Sequence, residues 1–469
     1  MNTELIYSDA MKLAELIRTR EVSTVEVIKA HLDRIEAVNP RVNAIVTIAE
    51  SALHSAQEAE AAVLRGDELG LLHGVPFTVK DSIDTAKVLT QRGSPIFRGR
   101  TPGTDATSVA RMKKAGGILL AKTNLPEFSY GVESDNLLTG RTNNPWNLDL
   151  TPGGSSGGES AAIAAGMSPL GLGTDLAISL RGPAAHTGIV SLKATHGRVP
   201  MTGIWPREPR RFWHVGPMAR SIRDLSLAFS QLAGSDGQDG YSSSAVPFDS
   251  GIGSSNKRPL RVGWLVEPGF GPIDRETAAT VQAASAALKD FGHTVESVRI
   301  PALERDFALD VWSRLHVLEM KPGFVETTAG RSEDEIGDMA RFMLSLPDTP
   351  ATDYIDAAQA VERLKDGYAE YFQKYDVLLT PVLPTPSFKH GQAELLINGQ
   401  TVSVMGIMSA TTPLSVTGLP GVSMRFGTSH DGMPIGVQIV GSWQNESTIL
   451  HVASLLEQVS PVRDRHPNL

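Results

Sequence analysis

Two adjacent serines, Ser155 and Ser156, stand between two glycine pairs in TPGGSSGGES at 151–160. A chain that gives up backbone order and places hydroxyls at the centre builds either a loop that wraps a ligand or a seat for a nucleophile. Overlapping G-x-S-x-G patterns are centred on both serines. That pattern marks a nucleophile elbow only where a strand leads into it. The preceding NNPWNLDLTP is rich in turn formers instead. On spacing alone, an anion-holding Gly-Ser loop is favoured.

Other motifs carry less. In GGILLAKT, Ala121 stands where a phosphate-binding loop needs glycine before the lysine, and its apolar run cannot cradle phosphate. The SSNK at 254–257 has Ser-x-x-Lys spacing but lies in a linker-like stretch. Lys80 in GVPFTVKDS reads by itself as a strand-end lysine paired with Asp81. The 12 histidines are scattered, with no glutamate-flanked pair at helical spacing, so no metal site is expected. His186 and His196, nearest the glycine-rich region, read as structural hydrogen-bonders.

The elements that must position these residues alternate between helix and strand. Ala10, Leu13, Ala14 and Ile17 share a helical face. STVE (Ser23 to Glu26) is a capping box opening a helix with Val25, Ile28, Leu32 and Ile35 as its stripe, stopped at Asn39-Pro40. A third helix over 51–64 ends near Gly66, which makes 1–66 a helical segment. Val75, Phe77 and Val79 alternate as a strand, and 118–121 reads as another. ESAAIAAGMSPLGLGTD reads as a helix leaving the glycine loop, then a turn. A helix over 275–291 and a long one over 353–375 follow, the latter with Ala357, Val361, Leu364, Tyr368 and Tyr371 inward. Strands are expected in LRVGWLVE, DVLLTPVLPTP and MPIGVQIVG. The pattern predicts an α/β fold with substantial parallel pairing, helices on both faces, and a surface excursion at 234–259 inside one domain over 1–469.

Composition sets outer limits. With 469 residues, 41% hydrophobic and 20% charged, the chain can bury a large core. A net charge of −9 argues against a nucleic-acid partner. Cysteine is absent, which removes disulfides, a thiolate nucleophile and Cys-ligated zinc. No signal segment and no apolar run long enough for a membrane span are visible, so a cytoplasmic protein without a membrane partner is expected. Monomer and homodimer stay open.

The longest signal is an ordered series: GVPFTVKDS, AKTNLPEFSYG, TPGGSSGGESAAIAAGMSPLGLGTD, LRGPAAHTGIVSLKATHGRVP, TGLPGVSMRFG and DGMPIGVQIVG. In this the chain resembles the amidase signature hydrolases over most of its length. The resemblance implies that family's fold, a large mixed and mostly parallel sheet with helices on both faces, and a catalytic core over 70–200. It implies a Lys80–Ser155–Ser179 triad in which Ser179 attacks, Ser155 follows a cis peptide bond and relays protons, and Lys80 is the base. It places the oxyanion donors on the backbone of Leu176, Ala177, Ile178 and Ser179. Ser156, Asp175 and Arg181 become supports of that loop, and no cofactor is implied.

The family usually has Gly-Gly where this chain has Ala177-Ile178. A β-branched residue disfavours positive φ, so either the loop keeps negative φ or the hole is reshaped. His186-Thr187 also departs from the usual residues, and both changes point to an unusual acyl pocket. Gly131, Trp205, Phe212 and Trp213 are expected at the substrate, with Arg198, Arg207, Arg210 and Arg211 interspersed and the aromatic-bearing stretch 307–320 nearby. The implied activity is hydrolysis of aryl or alkyl amides, carbamates or esters. A glutaminase component of an amidotransferase and an inactive scaffold are the alternatives.

Overall fold

The computed structural model describes residues 3–243, 248 and 258–469. Thirteen strands are found among them: β1 Ile45–Ile48, β2 Pro76–Lys80, β3 Ile118–Thr123, β4 Leu170–Asp175, β5 Val190–Lys193, β6 His214–Ala219, β7 Arg261–Trp264, β8 Thr294–Ser297, β9 Val377–Pro381, β10 Glu394–Ile397, β11 Gln400–Ser403, β12 Gly421–Thr428 and β13 Pro434–Gly441. Eleven form one mixed sheet in the order β1-β3-β2-β4-β6-β5-β12-β13-β9-β7-β8, and β10 and β11 make a separate hairpin.

Parallel pairing falls in two blocks, β3-β2-β4 and β9-β7-β8. The strands between are antiparallel. β2 and β4 therefore run side by side in one direction. Their carboxyl ends, Lys80 and Asp175, reach the same edge of the sheet, where α/β sheets commonly hold their ligands. Every residue of both strands is buried, as expected of strands covered on both faces.

Flanking elements follow their local codes. Ala10–Arg18 buries Ala10, Leu13, Ala14 and Ile17. The Ser23 capping box is formed. Four local expectations are corrected. The capped helix runs through Pro40 to Val42, because Asn39 Oδ1 accepts from the N–H groups of Ala44 and Ile45 beyond its end. Its buried face turns toward Val27, His31, Arg34 and Val38, which leaves Val25 and Leu32 half-buried. The 1–66 segment contains strand β1 as well as helices. LGLGTD, read as a turn, is β4: its alternate glycines hide the strand pattern while allowing close packing. Of the 234–259 stretch, 244–247 and 249–257 lie outside the described residues, SSNK among them. Within the described part, Asp236 accepts from Thr107 and Asp239 pairs with Arg210. Among the described residues no helix is long and apolar enough to cross a membrane.

Candidate active site

The glycine loop is shaped by close backbone approach. A Cβ at Gly154 would lie 2.7 Å from the Glu133 nitrogen and the Gly131 oxygen, and one at Gly158 2.4 Å from the Asn124 backbone. The Gly154–Ser155 peptide bond is cis. Ser134 Oγ holds the loop from outside, donating to the Gly153 carbonyl at 3.1 Å and accepting from the Gly157 N–H at 3.0 Å.

Lys80 is fully buried at the end of β2, with Nζ 2.7 Å from Ser155 Oγ and 2.8 Å from Thr174 Oγ1. The pair with Asp81 does not form, because successive strand residues point to opposite faces. Asp81 instead accepts from the Gln91 N–H at 2.8 Å. Among the described residues no carboxylate makes an ion pair with Lys80. Burial holds its amine well below the usual lysine range, against the pull of Asp175 and Glu159. Burial pushes the Glu159 carboxyl up to about 7, against hydrogen bonds from Thr78 and Thr123. A fully buried amine with hydroxyl neighbours and no ion-pair partner among the described residues favours the uncharged form a base needs.

Ser179 lies on the turn after β4. Its carbonyl accepts from the Ser156 N–H at 3.3 Å, which brings it beside the glycine loop. Among the described residues its hydroxyl has no hydrogen-bond partner, and the residue lines a cavity. The N–H groups of Leu176, Ala177, Ile178 and Ser179 likewise have no acceptor among the described residues. Ala177 and Ile178 are not among the residues at positive φ, so the loop accepts a β-branched residue without entering the left-handed region. Ile178 finds its room over Gly182, where a Cβ would lie 2.5 Å from Ile178 Cγ1.

A buried ion pair fixes this turn. Arg181 Nη2 is 2.9 Å from Asp175 Oδ1, with both side chains fully buried. Arg181 also donates to the carbonyls of Ala177 at 3.0 Å and Thr411 at 2.8 Å, and to Gln438 Oε1 at 3.1 Å. Asp175 Oδ2 accepts from the Leu180 N–H at 3.0 Å. Burial raises the Asp175 carboxyl, but the Arg181 charge and these bonds outweigh it and hold it below the usual range. Ser156 Oγ donates to the Thr174 carbonyl at 3.1 Å, tying the glycine loop to β4. Thr174 itself escaped sequence reading, hidden with the rest of β4.

The cavity encloses about 400 Å³. Leu176, Ala177 and Ile178 wall it beside Ser179, and Ser129, Tyr130, Gly131 and Val132 wall it beside the glycine loop. The helix Ala308–Thr328 adds Leu309, Trp312, His316 and Val317, and the helix Asp338–Ser345 adds Met339, Phe342 and Met343. Met405 and Met408 complete it. No Asp, Glu, Lys or Arg lines it. Burial lowers the His316 imidazole to about 3, so this one basic group is also uncharged near neutrality.

Gly131 is therefore in the wall, whereas Trp205, Phe212 and Trp213 are not. Phe212 and Trp213 are 1% exposed and packed in the core. Trp213 meets Tyr130 edge-on from behind, with centroids 6.1 Å apart. Trp205 packs on Phe97 and Phe128 under Arg92. Their aromatic bulk serves packing, and the arginines among them are paired: Arg198 with Glu446, Arg207 with Glu208, Arg210 with Asp239 and Arg211 with Glu319. His186 is also outside the lining, buried with its ring edge-on to Phe388 at 5.7 Å. The stretch 307–320 does reach the cavity. Helices 308–328 and 338–345 supply most of the far wall, and only the first carried a signal, its aromatics. Among the described residues no group of three or more His, Asp or Glu is gathered to hold a metal.

A buried lysine and a serine loop thus meet at the carboxyl edge of a mixed sheet, beside a second serine that opens on a cavity. Residues 26–450 match the Amidase family. A glutamyl-tRNA(Gln) amidotransferase subunit of Bdellovibrio bacteriovorus is 32% identical, across 99% of this chain and 100% of its own. A solved 6-aminohexanoate cyclic dimer hydrolase superposes with a TM-score of 0.89 at 31% identity, covering 99% of each chain. A bacterial aryl acylamidase of the amidase signature enzymes superposes with a TM-score of 0.87 at 26% identity, covering 97% of this chain and 96% of its own. The chain belongs to the amidase signature family. It is an amidohydrolase acting on carbon–nitrogen bonds.

Proposed function

We propose that the chain hydrolyses amides of small molecules bearing an alkyl or aryl group, through an acyl-enzyme on Ser179. The observation that carries this reading is the cavity at Ser179 with no charged side chain in its wall. Burying an unpaired ammonium or carboxylate there would cost several kcal/mol or more, so an uncharged, largely apolar substrate fits best.

In this reading, neutral Lys80 takes the Ser155 hydroxyl proton, Ser155 takes that of Ser179, and Ser179 Oγ bonds to the carbonyl carbon. The hydroxyl contacts tighten once substrate fills the cavity. The oxyanion is met by the free N–H groups of the 176–179 turn, each worth about 3 kcal/mol in such a role. The proton returns through Ser155 to the leaving nitrogen, and the C–N bond breaks. Water then cleaves the acyl-enzyme by the same relay run again. A carbamate presents the same carbonyl with an alkoxy group on it, so carbamates and esters are accepted as well.

The glutaminase reading rests on the end-to-end similarity to a glutamyl-tRNA(Gln) amidotransferase component. Glutamine, however, carries two charges into a wall that offers none. The test is a panel of p-nitroanilides, aryl carbamates, aryl esters and glutamine with the purified chain and with Ser179→Ala. Turnover of the first three, abolished in the variant, supports the proposal. Ammonia release from glutamine alone replaces it with the second reading. Absence of both turnover and covalent labelling by a fluorophosphonate identifies a scaffold.

A further inference from the structure

The far wall of the cavity ends in a short helix, Asp338–Ser345, whose inner face supplies Met339, Phe342 and Met343. Its outer side, with Asp338, Arg341 and Ser345, meets solvent, and Phe342 lies at the cavity rim, 54% exposed. Eight residues make too short a helix to hold itself in place. Ala340 and Met343 pack it into the core, and bonds at its two ends tie it in place. At the carboxyl end, Lys321 Nζ donates to the Leu346 carbonyl at 2.7 Å. At the amino end, the Gly337 N–H donates to Glu127 Oε2 at 2.7 Å.

Glu127 is far from this helix in sequence and close to the site. The residue is 5% exposed, and its Oε1 accepts from Ser94 Oγ at 2.7 Å. Both oxygens are thus committed, one to the body of the protein and one to the wall. The next two residues, Phe128 and Ser129, have φ of 58° and 61°. Non-glycine residues seldom enter that region. The turn they make sends Glu127 toward the helix while Ser129, Tyr130, Gly131 and Val132 line the cavity. Gly337 is matched to this contact, because a Cβ there would lie 2.5 Å from Glu127 Oε2.

We propose that Glu127 is a positioning residue: its bond to the Gly337 N–H pins the 338–345 helix shut over the substrate's apolar group, and so sets which substrates the site holds. The proposal rests on the cavity being the substrate site. Glu127 touches neither substrate nor Ser179. It links the wall to the rigid side of the cavity, and Lys321 leaves the other end as a pivot. Releasing Glu127 opens the cavity to water from the side of Met339 and Phe342. Bulky apolar substrates then lose enclosure, while the relay at Lys80, Ser155 and Ser179 is untouched.

The experiment compares Glu127→Ala, Gly337→Ala and Glu127→Gln with the parent chain. The two alanine variants break one contact from its two sides, so each checks the other if one folds poorly. Glutamine keeps it, with its amide oxygen accepting from Gly337 and its NH₂ donating to Ser94 Oγ. Backbone hydrogen exchange over 338–345 is expected to quicken about tenfold in both alanine variants and to stay at the parent rate in Glu127→Gln. KM for a bulky anilide is expected to rise about tenfold in the alanine variants, with a smaller change in kcat. Unchanged exchange in both alanine variants, or a Glu127→Gln variant as impaired as Glu127→Ala, overturns the proposal. Faster exchange in a chain that turns over no amide, carbamate or ester keeps the latch and overturns the substrate reading instead.

Discussion

Residues 151–187 and residues 308–346 line one cavity, yet they are built by different rules. Every residue from 151 to 187 is buried, and Ser155, Ser156 and Arg181 there are tied into β2, β4 and β13. The 308–346 wall is mostly apolar toward the cavity, half open to solvent behind, and held at its outer helix by few polar ties. Chemistry demands donors and acceptors fixed to fractions of an ångström, which only a rigid, fully bonded frame provides. Holding an apolar group demands enclosure, which many sequences supply. On the proposed function, the first region sets what reaction occurs, and the second sets on what.

Substitutions that separate the two regions test that division. The largest effect belongs to Ser179→Ala. Turnover is expected to fall on the order of 10⁵-fold, with fluorophosphonate labelling lost and the melting temperature kept. Lys80→Met is expected to lower kcat about 10³-fold. With the uncharged amine as the proposed base, parent kcat/KM is expected to rise with pH as Lys80 loses its proton, then level. The depressed titration places that rise well below the usual lysine range, and in Lys80→Met it disappears.

Asp175→Asn leaves the Arg181 charge buried without its partner. The expected loss is about 3–5 kcal/mol in denaturant unfolding, and the turn carrying Ser179 loosens with it. His186 tests the frame through pH. Burial lowers its pKa from 6.5 to about 3, so below pH 6.5 the unfolded chain binds a proton that the folded chain refuses. Stability is therefore lost as pH falls from 6.5 toward 3, by about 2–3 kcal/mol at pH 4.5. His186→Phe removes that loss, which thermal melts of both chains at pH 7 and pH 4.5 will show. The smallest effect is in the second region. Met343→Ala is expected to raise KM for a bulky anilide by about 1–2 kcal/mol, with kcat changed less. If Met343→Ala acted mainly on kcat, or Asp175→Asn only on KM, the division would fail.

The same contrast explains what the sequence discloses. Lys80, Ser155 and Ser179 sit in compact motifs, and the proposed relay admits few residue types and one order of elements. The loop supports Ser156, Asp175 and Arg181 were legible for the same reason, although whether the Asp175–Arg181 pair was buried was not. β4 was missed because Gly171 and Gly173 erase its alternation. The cavity wall was mostly illegible: Met339, Met343 and Met408 come from distant segments and carry no pattern beyond apolar character. Trp205, Phe212 and Trp213 misled for the converse reason, since large rings near a site in sequence pack behind it as readily as within it.

Arg181 has a consequence in time. Its partners Thr411 and Gln438, and Ser423, which donates to its carbonyl at 2.9 Å, lie near the far end of the chain. During synthesis, the turn bearing Ser179 leaves the ribosome more than two hundred residues before the groups that lock it. A growing chain thus holds that turn without its setting until residues 411–438 have folded against it.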